Sequence, residues 1–136
     1  MDYLNIMGID KEKVIKEVID TVREELDEIT TERTCRVYNE YINYYLTKNR
    51  IMHRTVDTED YGCNYSHVFS IVPNIDDYYL IDLTYEQFHN NKYLDLLVNG
   101  YQKVNKKELN DYIKLVGNKD IDISTDDLLF KNKKSK

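Results

Sequence analysis

From Asp10 onward, apolar residues recur every three to four positions. Val14, Ile15, Val18, Ile19, Val22 and Leu26 fall on one helical face, with Glu and Lys opposite. Asp10 supplies an N-cap for this first predicted helix. A polar break, Thr30-Thr31-Glu32-Arg33, ends it. Thr34 is placed to cap a second helix running from Cys35 to about residue 48. Its expected apolar stripe is Val37, Tyr38, Tyr41, Ile42, Tyr45 and Leu46. From Ile51 the period shortens toward two, which predicts strands over 51–56 and 65–72, separated by a loop over 58–64 around Gly62. Pro73-Asn74-Ile75-Asp76-Asp77 carries turn chemistry and predicts a hairpin into a third strand over 78–83. Residues 94–98 are a short apolar run, helix or strand, and Gly100 marks a turn. A last strong helix is expected over 106–116, with Leu109, Tyr112, Ile113 and Val116 inward and Gly117 as its stop. Beyond Asn118, Ile121, Ile123 and Leu128-Leu129-Phe130 are expected to dock as a short final element.

This pattern predicts an α+β fold: two N-terminal helices packed on a small antiparallel sheet, with a C-terminal helix behind. No internal repeat or Pro/Gly-rich linker interrupts it. Residues 1–130 are expected to form a single catalytic domain, and the basic stretch 131–136 a disordered tail. A chain of 136 residues suits one core. Thirteen Tyr against three Phe make that core phenolic, so many hydroxyls need partners. The net charge of −6 disfavours a phosphate backbone, and nucleic acid is not an expected partner. No run approaches the roughly 20 apolar residues of a membrane span, so no membrane partner is expected either. The first residues, Met1-Asp2-Tyr3-Leu4-Asn5, lack the basic and apolar regions of a signal peptide. The default location is the cytoplasm, and effectors also leave the cell by routes that show no such signal. Two cysteines are too few for a disulfide framework and point to thiols.

The chemistry-bearing residues come in the order Cys35, His67, Asp82. At the start of a helix, Cys35 lies beside unpaired backbone N–H groups and the positive end of the dipole. Both favour a thiolate. Folding the hairpin about Asn74 and Ile75 brings His67 opposite Asp82, within side-chain reach. A thiol nucleophile, its base and the carboxylate that orients the base need this layout. Taken singly, each residue has a plainer reading: a small buried hydrophobe, a hydrogen-bonded strand histidine, a strand-end turn residue. An ionisable Asp inside the apolar run Tyr78-Tyr79-Leu80-Ile81-Asp82-Leu83 is costly without a partner, which favours the joint reading. His53 has no carboxylate across a hairpin, and His89 sits in a polar loop. Cys63-x-x-x-His67 is half a metal site with no second half, so neither a metal nor another cofactor is expected. Cys63 is an ordinary loop thiol, or lies close enough to Cys35 to block it in a disulfide.

The Cys, His, Asp order with its His-to-Asp step across a hairpin resembles the papain-like and transglutaminase-like thiol enzymes. The stretches His67-Val68-Phe69-Ser70-Ile71-Val72 and Leu80-Ile81-Asp82-Leu83-Thr84-Tyr85-Glu86-Gln87-Phe88 are most similar to bacterial effector cysteine proteases and the deamidase domains of dermonecrotic toxins. The resemblance covers about residues 30 to 90. It implies Cys35 as nucleophile, His67 as base and Asp82 as orienting residue, with Gln87 as an oxyanion-hole donor. The implied activity is acyl transfer from an amide of a protein or peptide substrate: glutamine deamidation, transglutamination or proteolysis. Papain-type proteases carry a Gln shortly before the nucleophile, where this chain has Ile29-Thr30-Thr31-Glu32-Arg33-Thr34. The alternative expectation is a non-catalytic domain of the same fold, acting as a protein-binding or immunity-type partner.

Overall fold

Asp10 opens the first helix in the computed structural model, which describes residues 10–118. Its carboxylate accepts from the backbone N–H groups of Glu12 and Lys13 and caps α1, Lys11–Glu25. Ile15, Val18, Ile19 and Val22 are buried along one face of α1, as their period requires. The second helix, α2, spans Cys35–Lys48. Thr34 precedes it but does not cap it. Its hydroxyl turns back and donates to the Thr30 carbonyl at 2.5 Å. The first amides of α2 are thereby left uncapped by the side chain meant to satisfy them. The buried face of α2 is Tyr38, Asn39, Ile42 and Leu46, while Val37 and Tyr41 are exposed. Tyr38, Ile42 and Leu46 of the expected stripe are thus buried, with Tyr45 packed beside them, while Val37 and Tyr41 are not and Asn39 joins the face instead. Asn39 displaces apolar residues there because hydrogen-bonding partners await it on the sheet.

Four strands follow: β1 Arg54–Asp57, β2 Val68–Pro73, β3 Tyr78–Ile81 and β4 Tyr101–Val104. They form an antiparallel sheet in the order β1-β2-β3-β4. The strands are shorter than the alternation suggests. Ile51 is buried ahead of β1, and its N–H bonds the Leu46 carbonyl at the end of α2. A short 3₁₀ helix, Thr58–Tyr61, links β1 toward β2 and ends on Gly62 at φ 79°. The β2–β3 turn forms where Pro73 and Asn74 predict it, with Asn74 N–H donating to the Asp77 carbonyl at 2.9 Å. The run 94–98 is helical, within α3, Leu94–Asn99. The edge strand β4, Tyr-Gln-Lys-Val, is too short and too polar to announce itself by period. It is found only because Gly100, at φ 84°, turns the chain back along β3.

Both faces of the sheet are covered. On one, α1 and α2 pack against Val72, Tyr79, Ile81 and Tyr101. On the other, α3 and α4 (Lys106–Gly117) pack against Phe69, Ile71, Tyr78, Leu80 and Val104. Alternate residues of β2 and β3 thus enter different cores, which is why both strands read as nearly unbroken apolar runs. The described residues form an α+β arrangement around an antiparallel sheet. Gly117 is not the helix stop expected of it. It lies inside α4, and the left-handed cap falls on Asn118 at φ 54°. A Cβ on Gly117 would stand 2.6 Å from the Cβ and Sγ of Cys63, so glycine is needed there for close packing. The expected final element (Ile121, Ile123, Leu128 to Phe130) and the basic tail lie outside the described residues. No helix among those described is long and apolar enough to cross a membrane.

Candidate active site

The β2–β3 hairpin decides the site. Its register pairs Ser70 with Ile81 and Ile71 with Leu80. Continued outward, that register sets His67 against Thr84 and Asp82 against Phe69, two residues from the pairing expected by counting. A two-residue slip keeps every side chain on its face, whereas a one-residue slip would have sent His67 and Asp82 to opposite sides. They meet as diagonal neighbours. His67 Nε2 lies 2.6 Å from Asp82 Oδ2, and both residues are buried.

Asp82 is held from four directions. Oδ2 takes the His67 ring nitrogen and the Tyr112 hydroxyl, which donates at 2.5 Å from α4. Oδ1 accepts from the Thr84 backbone N–H and the Thr84 hydroxyl, each at 3.0 Å. Burial works against the charged carboxylate. The His67 charge and hydrogen bond, the Tyr112 hydroxyl and the Thr84 amide outweigh it and hold Asp82 below the usual carboxylate range. The Tyr112 phenol is pushed far up, first by burial and then by the Asp82 charge, so it stays a donor.

His67 is fixed through its backbone as well. Its N–H donates to Thr58 Oγ1 at 2.9 Å, and its carbonyl accepts from the Thr58 N–H at 3.0 Å. The Phe88 ring stands edge-on to the imidazole, with centroids 4.8 Å apart. With Nε2 committed to Asp82, Nδ1 is left for the third group. That group is Cys35, half-buried in the first turn of α2, whose thiol is in hydrogen-bonding contact with His67. The Val68 backbone N–H also points at the sulfur. Burial raises the thiol, but the His67 contact, the Val68 N–H and the His67 charge together bring it below its ordinary 9.0. Burial likewise opposes the imidazolium. Asp82 outweighs it, and with Cys35 raises His67 from 6.5 to about 9. Opposite displacements of this kind favour transfer of the thiol proton to the imidazole.

Gln87 follows on the short 3₁₀ helix Tyr85–Phe88, directly after Asp82 and Thr84. Its Oε1 accepts from the Arg33 N–H at 3.3 Å, two residues before Cys35. Arg33 adopts φ 62°, a left-handed conformation rare for a side chain of its size. Thr31 adds a second tie, its hydroxyl donating to Glu86 Oε2 at 2.8 Å. The loop entering α2 is thus strapped to the segment leaving β3. Since a backbone N–H fixes Oε1 at one end of the carboxamide, the two Nε2 donors face elsewhere.

The remaining candidates stand apart. His53 Nδ1 lies 2.9 Å from the Ile51 carbonyl, and His89 is exposed at φ 50°. Cys63 lies in the loop before β2, as expected, but its side chain is turned inward. It is buried in the α4-side core against Gly117, and the two cysteines are not joined in a disulfide. Among the described residues no three His, Cys, Asp or Glu side chains converge to hold a metal ion. Sequence reasoning missed Tyr112, Thr84 and Thr58 as parts of the site. Thr84 carried a signal, since an Asp accepting from the amide two residues on is a common turn device. Tyr112 carried none, because its spacing already explained it as core. Comparison with protein-family models, with curated proteins and with solved structures finds no match to this chain.

Proposed function

We propose that the protein is a cysteine-dependent acyl-transfer enzyme acting on amide bonds, with a papain-like or transglutaminase-like core. One observation carries this reading: a buried His67 shared between Asp82, itself fully hydrogen-bonded, and the thiol of Cys35. The Cys35 thiolate attacks the amide carbonyl carbon, forming a C–S bond and moving an electron pair onto oxygen. The backbone N–H of Cys35 and the Nε2 donors of Gln87 receive that oxyanion. The His67 imidazolium gives its proton to the departing nitrogen as the C–N bond breaks, leaving a thioester. Neutral His67 then takes a proton from the incoming water or amine, whose attack releases the acyl group and restores the thiolate. Water makes the reaction a deamidation or proteolysis, and an amine makes it a transglutamination.

The test begins without a substrate. Iodoacetamide at pH 6 should alkylate Cys35 stoichiometrically, located by peptide mass spectrometry, while an ordinary thiol is nearly inert there. Mass spectrometry of candidate proteins then identifies the acceptor. A gain of about 1 Da means deamidation, backbone cleavage means proteolysis, and incorporation of an added amine means transglutamination. A Cys35 inert at pH 6 would overturn the enzyme reading in favour of a protein-binding or immunity-type domain.

A further inference from the structure

Between α2 and the sheet lies a polar cluster that the catalytic reading does not use. Asn39 and Asn43 follow Cys35 at intervals of four residues, on the side of α2 that faces β2. Ser70 Oγ, fully buried, lies 2.7 Å from Asn39 Oδ1 and 2.7 Å from Asn43 Oδ1. Thr55, the partner of Ser70 across β1 and β2, has its Oγ1 3.4 Å from Asn39 Nδ2 and 2.7 Å from Asn43 Nδ2. One hydroxyl carries one proton, so Ser70 cannot serve both carbonyls. Turning the Asn43 carboxamide by half a turn satisfies every contact. Ser70 then donates to Asn39, Asn39 to Thr55, Thr55 to Asn43, and Asn43 to Ser70, in a closed ring where each group donates once and accepts once.

The ring has a position relative to the nucleophile. Four residues of helix advance about 6 Å, and two residues of strand about 6.6 Å. Cys35 meets the Val68 amide, and one step along both elements Asn39 meets Ser70. The two rows advance almost equally, so the Asn39–Ser70 bond acts as a ruler for the Cys35–Val68 contact. The apolar contacts of α2 (Tyr38, Ile42, Leu46) are non-directional and tolerate small axial slides. Hydrogen bonds do not.

We infer that Asn39 and Ser70 are positioning residues: the ring they close with Asn43 and Thr55 sets the axial register of α2 on β2 and so seats the Cys35 sulfur on the Val68 amide and His67. Their importance for turnover rests on Cys35 being the nucleophile. Their effect on the thiol does not.

The test measures the thiol directly, in the absence of substrate. Ser70→Ala and Asn39→Leu are compared with Ile42→Val, an apolar trim on the same helix face. Initial rates of Cys35 alkylation by iodoacetamide are followed from pH 5 to 10 on the full chain, with thermal unfolding alongside. In Ser70→Ala and Asn39→Leu the rate at pH 6 should fall about tenfold and the pH profile move to higher pH, as expected for weakening one charge-assisted bond to the thiolate. Ile42→Val should lower the unfolding temperature while leaving the profile in place. If Asn39→Leu does not fold, Asn43→Ala, which opens the ring at its half-exposed edge, replaces it, with the same shift expected. An unmoved profile in folded Ser70→Ala and in the folded asparagine variant would overturn the inference and leave the ring a purely stabilising feature. If wild-type Cys35 is itself inert at pH 6, the proposed enzyme activity fails, while the relative shift among variants still decides the ruler.

Discussion

Asp82 is the residue on which the site turns, because a buried carboxylate survives only with its oxygens occupied. Tyr112 supplies one of its four bonds and nothing else polar. Tyr112→Phe keeps the ring packed against Phe69 and Tyr93 and deletes that bond alone. Unfolding in denaturant should show a loss of about 1.5–3 kcal/mol, the range for a bond to a charged group. Turnover should fall about tenfold or more as the Asp82–His67 pair loses its fixed aim. Unchanged turnover would remove Tyr112 from the positioning machinery. At Cys35, Cys35→Ala should abolish turnover with little loss of stability, since a half-buried first-turn side chain fills little core. An unfolded variant, seen by circular dichroism, would make Cys35 structural instead. Gln87 separates two roles that the geometry holds together. Gln87→Ala should lower turnover by roughly 10²–10³ with Cys35 alkylation unchanged. Gln87→Glu keeps an acceptor for the Arg33 amide but has no donor for an oxyanion. It should be as inactive as the alanine variant. Activity retained in Gln87→Glu would reduce Gln87 to a strap for the loop before α2.

At the scale of elements, the hairpin was legible and its end points were not. Pro73, Asn74 and Asp77 specify the turn, and side-chain parity then puts His67 and Asp82 on one face whichever even register forms. The start of α1 followed from its Asp10 cap, and the span of α2 from its period. The failure at Thr34 has a physical cause: its hydroxyl found the Thr30 carbonyl, a competing local partner. Tyr38, Ile42 and Leu46 of the α2 stripe face the core as their period requires, and its edge at Val37 and Tyr41 was wrong because hydropathy ranks those residues above Asn39, to which the sheet offers hydrogen bonds. Gly117 shows how one contact between elements reaches the site. Its missing side chain admits Cys63, and the same spot approaches Thr58, the residue that pins the His67 backbone. Gly117→Ala should destabilise by about 1–3 kcal/mol, the cost of overpacking a filled interior. Cys63→Ala, by removing the sulfur, should recover part of that loss in the double variant. Full additivity of the two substitutions in thermal unfolding would mean that the clash relaxes elsewhere.

Across the whole molecule, the coupled pair predicts an unusual dependence of stability on pH. His67, raised from 6.5 to about 9, contributes stability that is complete below 6.5 and lost as pH rises through about 9. Cys35, lowered from 9.0, contributes stability that is complete above 9.0 and lost as pH falls through its folded value. Above both 6.5 and the folded Cys35 value, and up to about 9, the native state has bound one proton on His67 and released one from Cys35, and the two slopes cancel. Wild-type stability should therefore be nearly flat across this window. In Cys35→Ala only the His67 slope remains, so stability should fall with rising pH by up to about 1.4 kcal/mol per unit. Urea titrations at pH 6.5, 7.5 and 8.5 measure it. A flat profile in both proteins would mean that His67 is not charged in the folded state. The same pair predicts an alkylation rate that falls as acid protonates Cys35.

Period, caps and turn residues determined by themselves which segments became helices α1, α2 and α4 and where the central hairpin turned, because those signals act over a few neighbouring residues. The order Cys35, His67, Asp82 was equally open to reading, since parity in a hairpin needs no knowledge of the rest of the fold. Only the tertiary structure decided that β4 exists, that Asn39 rather than Val37 faces the sheet, that Tyr112 reaches Asp82 from 30 residues away, and that Cys63 is core. Those outcomes depend on partners brought together from distant parts of the chain. Burial rewards a polar group only where such a partner waits, and a linear pattern of hydropathy holds no record of it.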